Sequence, residues 1–221
     1  PVRSGLDHEC PNTHPAIEPA LGANAILLAS FGFLIPHKGL VELIQAFAHL
    51  HSEIPTLRLL MLNSLHPDPI SDVEKQRLLA LIDELELQHA IELQSDYLDE
   101  RDILQQLGRA RLIVFPYQKT QESSSAAVRL GLASGAPVAC TPLPIFDDLE
   151  DAVYRLPATD IESMAHGIRA HLALDAEALE QQAARQQYWL DAHAWPRVAQ
   201  RIAAWVYQPA DKYTNFDDRP A

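Results

Sequence analysis

Residues 110–149, ARLIVFPYQKTQESSSAAVRLGLASGAPVACTPLPIFDDL, contain the pattern that decides the fold. The apolar run Leu112–Phe115 predicts a buried strand that stops at Pro116. A serine-rich loop follows, and Ser124–Ser134 predicts a helix. A turn of small residues then leads into a second apolar strand, Pro137–Thr141. Strand, helix and strand in this order form the unit of a parallel sheet, so the segment predicts an α/β fold.

The same alternation continues on both sides of this segment. Short apolar runs predict further strands at Ala25–Phe31, Leu57–Leu62, Ala90–Leu93 and Val153–Leu156. Amphipathic stretches predict helices that begin at Lys38, run over Ser71–Leu87 and Glu100–Ala110, and continue from Thr159 to Gln208. We therefore predict a Rossmann-like parallel sheet of about six strands with helices on both faces.

Two of these helices carry a capping-box pattern at their predicted starts. Ser71 is followed by Glu74, and Thr159 is followed by Glu162. In a capping box, the hydroxyl accepts a hydrogen bond from a backbone N–H in the first turn, and the glutamate reaches back to the start. We therefore expect Ser71 and Thr159 to cap their helices.

The length and composition favour one domain with short flanking segments. A chain of 221 residues is long for one domain and short for two. Residues 1–22 contain four prolines and two glycines without a sustained apolar pattern, which indicates an irregular arm or linker remnant. We predict one nucleotide-binding domain over residues 23–208 and a C-terminal tail over residues 209–221.

The charge balance excludes some classes of partner. The chain has 17 Lys and Arg against 30 Asp and Glu, a formal net charge of −13, which repels nucleic acid and anionic membranes. No stretch reaches the ~20 apolar residues that span a bilayer, so membrane contact is predicted to be peripheral at most, at the inner face. Two cysteines are too few for a disulfide framework and favour a cytoplasmic setting.

The loop after the first predicted strand, Phe31–Gly39, is a candidate phosphate site. Gly32 permits close approach of a ligand to the backbone, and Lys38 precedes a helix whose N-terminus favours an anion. The loop matches neither the dinucleotide nor the P-loop glycine pattern. A glycine that ends a strand and an exposed lysine before a helix are also common without any ligand.

The loop before the Ser124–Ser134 helix is a second candidate. Ser123, Ser124 and Ser125 offer hydroxyls and backbone N–H groups to an anion. Glu122 can accept hydrogen bonds from sugar hydroxyls, and Lys119 is a second candidate phosphate anchor. Ordinary helix capping by serine and a solvated lysine explain the same residues equally well.

Together, FGFLIPHKGLVELIQAF (residues 31–47) and residues 110–149 resemble two segments of the large retaining family of GT-B glycosyltransferases, the group 1 glycosyl transferases. The resemblance spans about residues 25–170 and implies the C-terminal, donor-binding half of a GT-B fold. It implies that Gly32 and Lys38 flank the donor diphosphate and that Glu122 faces the donor sugar. It also implies that Tyr97 stacks on the nucleobase, although packing explains Tyr97 as well.

Two positions depart from the pattern of this family. A second glutamate, eight positions after the first, usually holds the ribose, and here that position is Leu130. An arginine commonly follows the glycine that corresponds to Gly32, and here that position is Phe33. These departures indicate either a subfamily with rearranged donor contacts or a domain that has lost catalysis.

The resemblance implies an enzyme that moves a hexose from a nucleoside diphosphate sugar to a glycan or lipid-linked acceptor with retention, in surface polysaccharide synthesis. Lys38 and Glu122 would be its catalytic residues, with no metal and no cofactor. An N-terminal GT-B domain would supply the acceptor site, so this chain alone is expected to be weakly active or inactive. A noncatalytic interaction module and half of a nucleotide-sugar epimerase stay open as alternatives.

Three other groups are weaker candidates for a site. The spacing of three possible zinc ligands matches no standard zinc site: His8, Cys10 and His14. An acidic run is more typical of a solvated face than of acceptor contacts: Asp147, Asp148, Glu150 and Asp151. The tryptophans lie among helical apolar positions and favour packing over sugar binding: Trp189, Trp195 and Trp205.

Overall fold

Six strands form one parallel sheet in the computed structural model, which describes residues 25–207. The predicted arm and tail, and with them His8, Cys10 and His14, lie outside the described residues. The predicted domain limits therefore stay a prediction.

All neighbouring strands of the sheet run parallel, in the order β3-β2-β1-β4-β5-β6. The strands are β1 (Ile26–Phe33), β2 (Leu57–Ser64), β3 (Ile91–Gln94), β4 (Leu112–Phe115), β5 (Val138–Cys140) and β6 (Tyr154–Arg155). The chain builds outward from β1 to β3 and then returns to the other side of β1 with β4. The strand order therefore reverses between β1 and β4, where open α/β sheets bind ligands.

Helices cover both faces of this sheet. The α-helices of residues 25–207 are α1 (Leu40–Glu53), α2 (Ile70–Glu84), α3 (Glu100–Leu107), α4 (Ala126–Ala133), α5 (Ile161–Leu172), α6 (Ala176–His193) and α7 (Trp195–Val206). Of these, α7 packs beside α6 and buries none of its own residues. One buried apolar cluster joins α1, α2 and α5 to one face, and a second joins α3, α4 and α6 to the other. Side chains alternate between the two clusters along β1, β2, β4 and β5, which confirms the predicted α/β class and its double cover.

The predicted cap of α2 is wrong. Ser71 lies inside the helix, which begins at Ile70, and its hydroxyl accepts a hydrogen bond from the His66 backbone N–H at 2.9 Å. The start of α2 has no side-chain cap hydrogen bond. The side chain of Glu74 is buried, and its Oε2 atom lies 3.7 Å from Nη1 of Arg77. The serine instead fastens the preceding loop to the helix.

The predicted cap of α5 is displaced by one residue. Asp160, and not Thr159, occupies the cap position, and its carboxylate accepts a hydrogen bond from the Ser163 N–H at 2.9 Å. A charged acceptor is favoured at a helix N-terminus because the helix dipole is positive there. The sequence pattern found the helix but selected the wrong one of two adjacent acceptors.

Gly39 separates Lys38 from α1 and lies where the loops after β1 and β4 pack closely against each other. The helix predicted from Lys38 begins at Leu40, because Gly39 adopts the left-handed conformation with a φ of 70°. A Cβ atom at position 39 would lie 1.9 Å from the carbonyl oxygen of Pro116. Beside this approach, the Gln118 N–H donates to the His37 carbonyl at 2.8 Å. The loops after β1 and β4 are thus joined through their backbones.

We expect Gly39→Ala to destabilise the fold far more than Gly135→Ala does. Both glycines have a positive φ, which costs alanine about 1–2 kcal/mol at either site. A Cβ at position 135 meets nothing within 4 Å, whereas position 39 has the clash with Pro116, which should add roughly 1–3 kcal/mol. Urea denaturation of both variants measures the difference. Equal losses in the free energy of unfolding would show that the two loops move apart without cost and that their contact does not stabilise the fold.

Candidate functional site

A cavity of about 410 Å³ opens at the carboxyl ends of β1 and β4, where the strand order reverses. Loops after β1, β3 and β4 and the first turns of α3 and α4 surround it. Its position matches the rule that open parallel sheets bind ligands beyond the carboxyl ends of their strands. The cavity is therefore the candidate site.

The structure brings most of the predicted site residues to this one cavity. Those that line it are Gly32, Lys38, Tyr97, Glu122, Ser124 and Ser125. Lys119 lines a neighbouring depression with Thr120 and Leu143, and Ser123 is exposed outside the cavity. The two predicted loops, which lie far apart in the sequence, thus meet at one site.

Lys38 is a nearly buried cation with two partners. Lys38 is the last residue of a short 3-10 helix, Pro36–Lys38, and it is only 8% exposed. The Nζ atom donates to Oε2 of Glu122 at 3.0 Å and lies 3.9 Å from the centre of the Tyr117 ring. A carboxylate and an aromatic face both stabilise a desolvated ammonium group. The arrangement holds a positive charge at a fixed point of the cavity.

Glu122 bridges the two loops. Its second carboxylate oxygen lies 3.2 Å from Nε2 of His37, and the side chain is 43% exposed. Burial tends to raise the pKa of Glu122, but hydrogen bonding and charge attraction from Lys38, together with His37, outweigh it and hold the pKa below the ordinary value of 4.5. Glu122 is therefore ionised at neutral pH, and a competing anion would have to replace it on Lys38.

The three serines have different surroundings. Ser125 caps α4, since its hydroxyl accepts from the Val128 N–H at 3.4 Å and also shares a hydrogen bond of 3.0 Å with the Tyr117 hydroxyl. Ser124 is exposed and faces the cavity. Helix capping thus explains Ser125, whereas within residues 25–207 the Ser124 hydroxyl has no hydrogen-bond partner and faces the cavity.

The other part of the cavity wall is apolar. Phe33 and Leu130, the two departures from the family pattern, both line it, together with Leu98 and Ile103. Phe33 is 40% exposed, and Tyr97 is 86% exposed. The cavity therefore combines a charged region around Lys38 with an apolar region that can hold a flat ring.

Several lining residues were not predicted from the sequence. They are Ser64, Leu98, Glu100, Ile103, Tyr117, Ala126 and Ala127. Glu100 begins the helix after β3, so the rule that pointed to the loops after β1 and β4 also applies to it. The contact between His37 and Glu122 has no local sequence signal, because it joins residues 85 positions apart.

The remaining candidate groups lie away from the cavity. Trp189 is buried and its Nε1 donates to the Asp148 carbonyl at 2.9 Å, which confirms packing, whereas Trp195 and Trp205 are exposed on α7. Asp148 of the acidic run pairs with Arg129. Within residues 25–207 no three His, Cys, Asp or Glu side chains are grouped so as to hold a metal. None of the helices in this range combines the length and the apolarity that crossing a bilayer requires.

Comparison with known proteins relates this architecture to one family. The family model described as glycosyl transferases group 1 matches residues 17–206. No curated protein matches the chain significantly.

Solved structures share the fold at low sequence identity. An α,α-trehalose-phosphate synthase (UDP-forming) from Burkholderia vietnamiensis has 12% identity and a TM-score of 0.72, over 86% of this chain and 46% of that one. A glycosyltransferase from Rickettsia africae has 16% identity and a TM-score of 0.71, over 90% of this chain and 50% of that one. The chain thus spans about half the length of these relatives.

A third solved structure is itself a single domain. It is the C-terminal domain of a glycosyl transferase group 1 family protein from Francisella tularensis, with 16% identity and a TM-score of 0.63. The match covers 76% of this chain and 85% of that domain. The likeness shows that the described residues share the fold of that domain.

We expect Glu122→Gln to lower the free energy of unfolding at neutral pH, because the nearly buried Lys38 ammonium loses its ionised partner, although solvent at the 43% exposed carboxylate screens part of the pair. The pKa of Glu122 is lowered from 4.5 in the folded chain, so the stabilisation is fully present above that value and is lost as the pH falls through the lowered pKa. Urea denaturation as a function of pH should therefore show the wild type and the variant converging below pH 4.5.

Glu84→Gln is the matched control for this measurement. Glu84 is exposed on α2 and forms no ion pair within the described part of the chain. The same convergence in Glu84→Gln would show that general charge, and not the contact with Lys38, causes the effect.

Proposed function

This chain belongs to the glycosyl transferases group 1 family, and on that basis we propose that it is the donor-binding domain of a retaining glycosyltransferase. The enzyme moves a hexose from a nucleoside diphosphate sugar to a glycan or lipid-linked acceptor, in surface polysaccharide synthesis in the cytoplasm. The observation that supports this most is the nearly buried Lys38, held by Glu122 inside a cavity at the reversal of strand order.

Lys38 is proposed to bind the donor diphosphate. A diphosphate that enters the cavity replaces the Glu122 carboxylate on the ammonium group, so one anion is exchanged for another and the buried charge is never left unpaired. Backbone N–H groups at the start of α4, beside Ser124, add further donors. As the bond to the sugar breaks, these groups stabilise the growing charge on the leaving diphosphate.

Glu122, once released from Lys38, is proposed to orient the donor sugar. Its carboxylate lies at the cavity mouth, half exposed, and can accept hydrogen bonds from sugar hydroxyls. Fixing the sugar relative to the leaving group lowers the barrier by orientation. The nucleoside diphosphate sugar is a substrate in this proposal, and neither a metal nor a cofactor takes part.

A second domain is proposed to complete the site. The chain spans about half the length of the solved structures that it resembles, and acceptor groups would come from a further domain. The acceptor groups are proposed to be absent from this chain, so the chain alone is expected to bind donor weakly and to turn over little. Lys119, which lies in the adjoining depression, is left outside the proposed donor contacts.

We expect Lys38→Ala to weaken binding of UDP or GDP by about tenfold or more, because it removes a charged hydrogen bond to the diphosphate. Lys119→Ala removes the same charge from the neighbouring depression and should leave the Kd nearly unchanged. Calorimetric titration with both nucleotides, into the millimolar range, measures this. If the wild type binds neither nucleotide, the proposal fails and the noncatalytic module becomes the better interpretation.

Glu122→Ala is expected to have opposite effects on two ligands. Removing the carboxylate frees Lys38, so the bare nucleoside diphosphate should bind as tightly as before or more tightly. The additional affinity of the hexose conjugate should be lost, because its hydroxyls no longer have their acceptor. Titration of UDP against UDP-hexoses separates the two effects, and an equal loss for both ligands would contradict the role of Glu122 in holding the sugar.

A further inference from the structure

The described lining of the cavity contains two carboxylates, Glu122 and Glu100. Glu122 is bound to Lys38 and His37. Glu100 is exposed and has no ion pair or side-chain hydrogen bond within residues 25–207. Glu100 is therefore the carboxylate of this cavity that is free to accept hydrogen bonds from a ligand.

Glu100 is not needed to cap its own helix. It is the first residue of α3, and the preceding Asp99 already occupies the cap position. The Asp99 carboxylate accepts a hydrogen bond from the Asp102 N–H at 2.9 Å. The side chain of Glu100 can therefore turn toward the cavity without leaving the helix start unsatisfied.

Apart from the exposed hydroxyls of Ser124 and Tyr97, the other hydroxyls around the cavity are already engaged. The Ser64 hydroxyl donates to the Asp96 carbonyl at 3.1 Å. The hydroxyls of Tyr117 and Ser125 bond to each other at 3.0 Å. These contacts leave Glu100 as the strongest available acceptor beside the apolar wall.

Glu100 borders the apolar region of the cavity. Ile103 lies one turn further along α3, on the side that lines the cavity, and α3 packs against α4, which contributes Leu130. Tyr97 stands just before α3 and is 86% exposed, so its ring is available to a flat ligand. A nucleoside whose diphosphate lies on Lys38 would bring its base to these apolar side chains and its ribose near their edge.

We propose that Glu100 binds the ribose hydroxyls of the donor and thereby selects ribonucleotides over 2′-deoxyribonucleotides. This inference rests on the proposed function. A carboxylate accepts from both vicinal hydroxyls of a ribose, whereas the leucine at position 130 cannot accept any hydrogen bond. The deoxy analogue leaves the Glu100 carboxylate without one of its donors, so its binding loses one hydrogen bond to a charged group.

The test compares UDP and GDP with their 2′-deoxy counterparts by calorimetric titration of this chain. The wild type should bind the ribonucleotide about tenfold more tightly than the deoxyribonucleotide, the value of one hydrogen bond to a charged group. Glu100→Ala should reduce this ratio to near one by weakening only the ribonucleotide. Asp102→Ala is the matched control. Asp102 is an exposed acidic residue in the same first turn of α3, but its side chain does not line the cavity.

The outcomes separate this inference from the function on which it rests. Three results would overturn the role of Glu100 while leaving nucleotide binding in place. The wild type could show no preference for the ribonucleotide, the preference could persist in Glu100→Ala, or Asp102→Ala could reduce it equally. If the wild type binds no nucleotide, or if Lys38→Ala leaves the nucleotide Kd unchanged, the proposed function and this inference both fail. Circular dichroism of Glu100→Ala and Asp102→Ala checks that both variants stay folded.

Discussion

The close approach of the Gly39 backbone to the Pro116 carbonyl is the constraint on which the site depends. It leaves no room for a side chain and brings the loops after β1 and β4 into backbone contact. Lys38 follows from this contact, because it precedes Gly39 and is carried against Tyr117 and Glu122. A packing requirement between two loops thus determines where the cavity has its positive charge.

Burial of Lys38 explains why its partners take the positions that they have. An ammonium group with only 8% exposure would be costly without compensation, and the Glu122 carboxylate and the Tyr117 ring supply it. Tyr117 is in turn fixed by Ser125 at the start of α4. The charged region is therefore organised before any ligand arrives, and Glu122 occupies the place that an incoming anion would take.

The sequence predicted the sheet well because strands covered on both faces appear as continuous apolar runs, such as Leu112–Phe115. It also located the loop residues Lys38 and Glu122, since those loops follow strands. It did not resolve which of two adjacent acceptors caps α5, because only backbone geometry distinguishes Thr159 from Asp160. The separation of Lys119 from the cavity, and the position of Glu100 on its wall, depend on side-chain direction, which local patterns do not encode.

The pairing of Lys38 with Glu122 also affects the kinetics of encounter. With its cation already neutralised at short range, the chain presents to an approaching diphosphate mainly the repulsion of a formal charge of −13. Long-range steering therefore does not assist association, and added salt should quicken it by screening the repulsion. Occupancy of such a site is governed by how long a ligand stays after it has displaced the carboxylate.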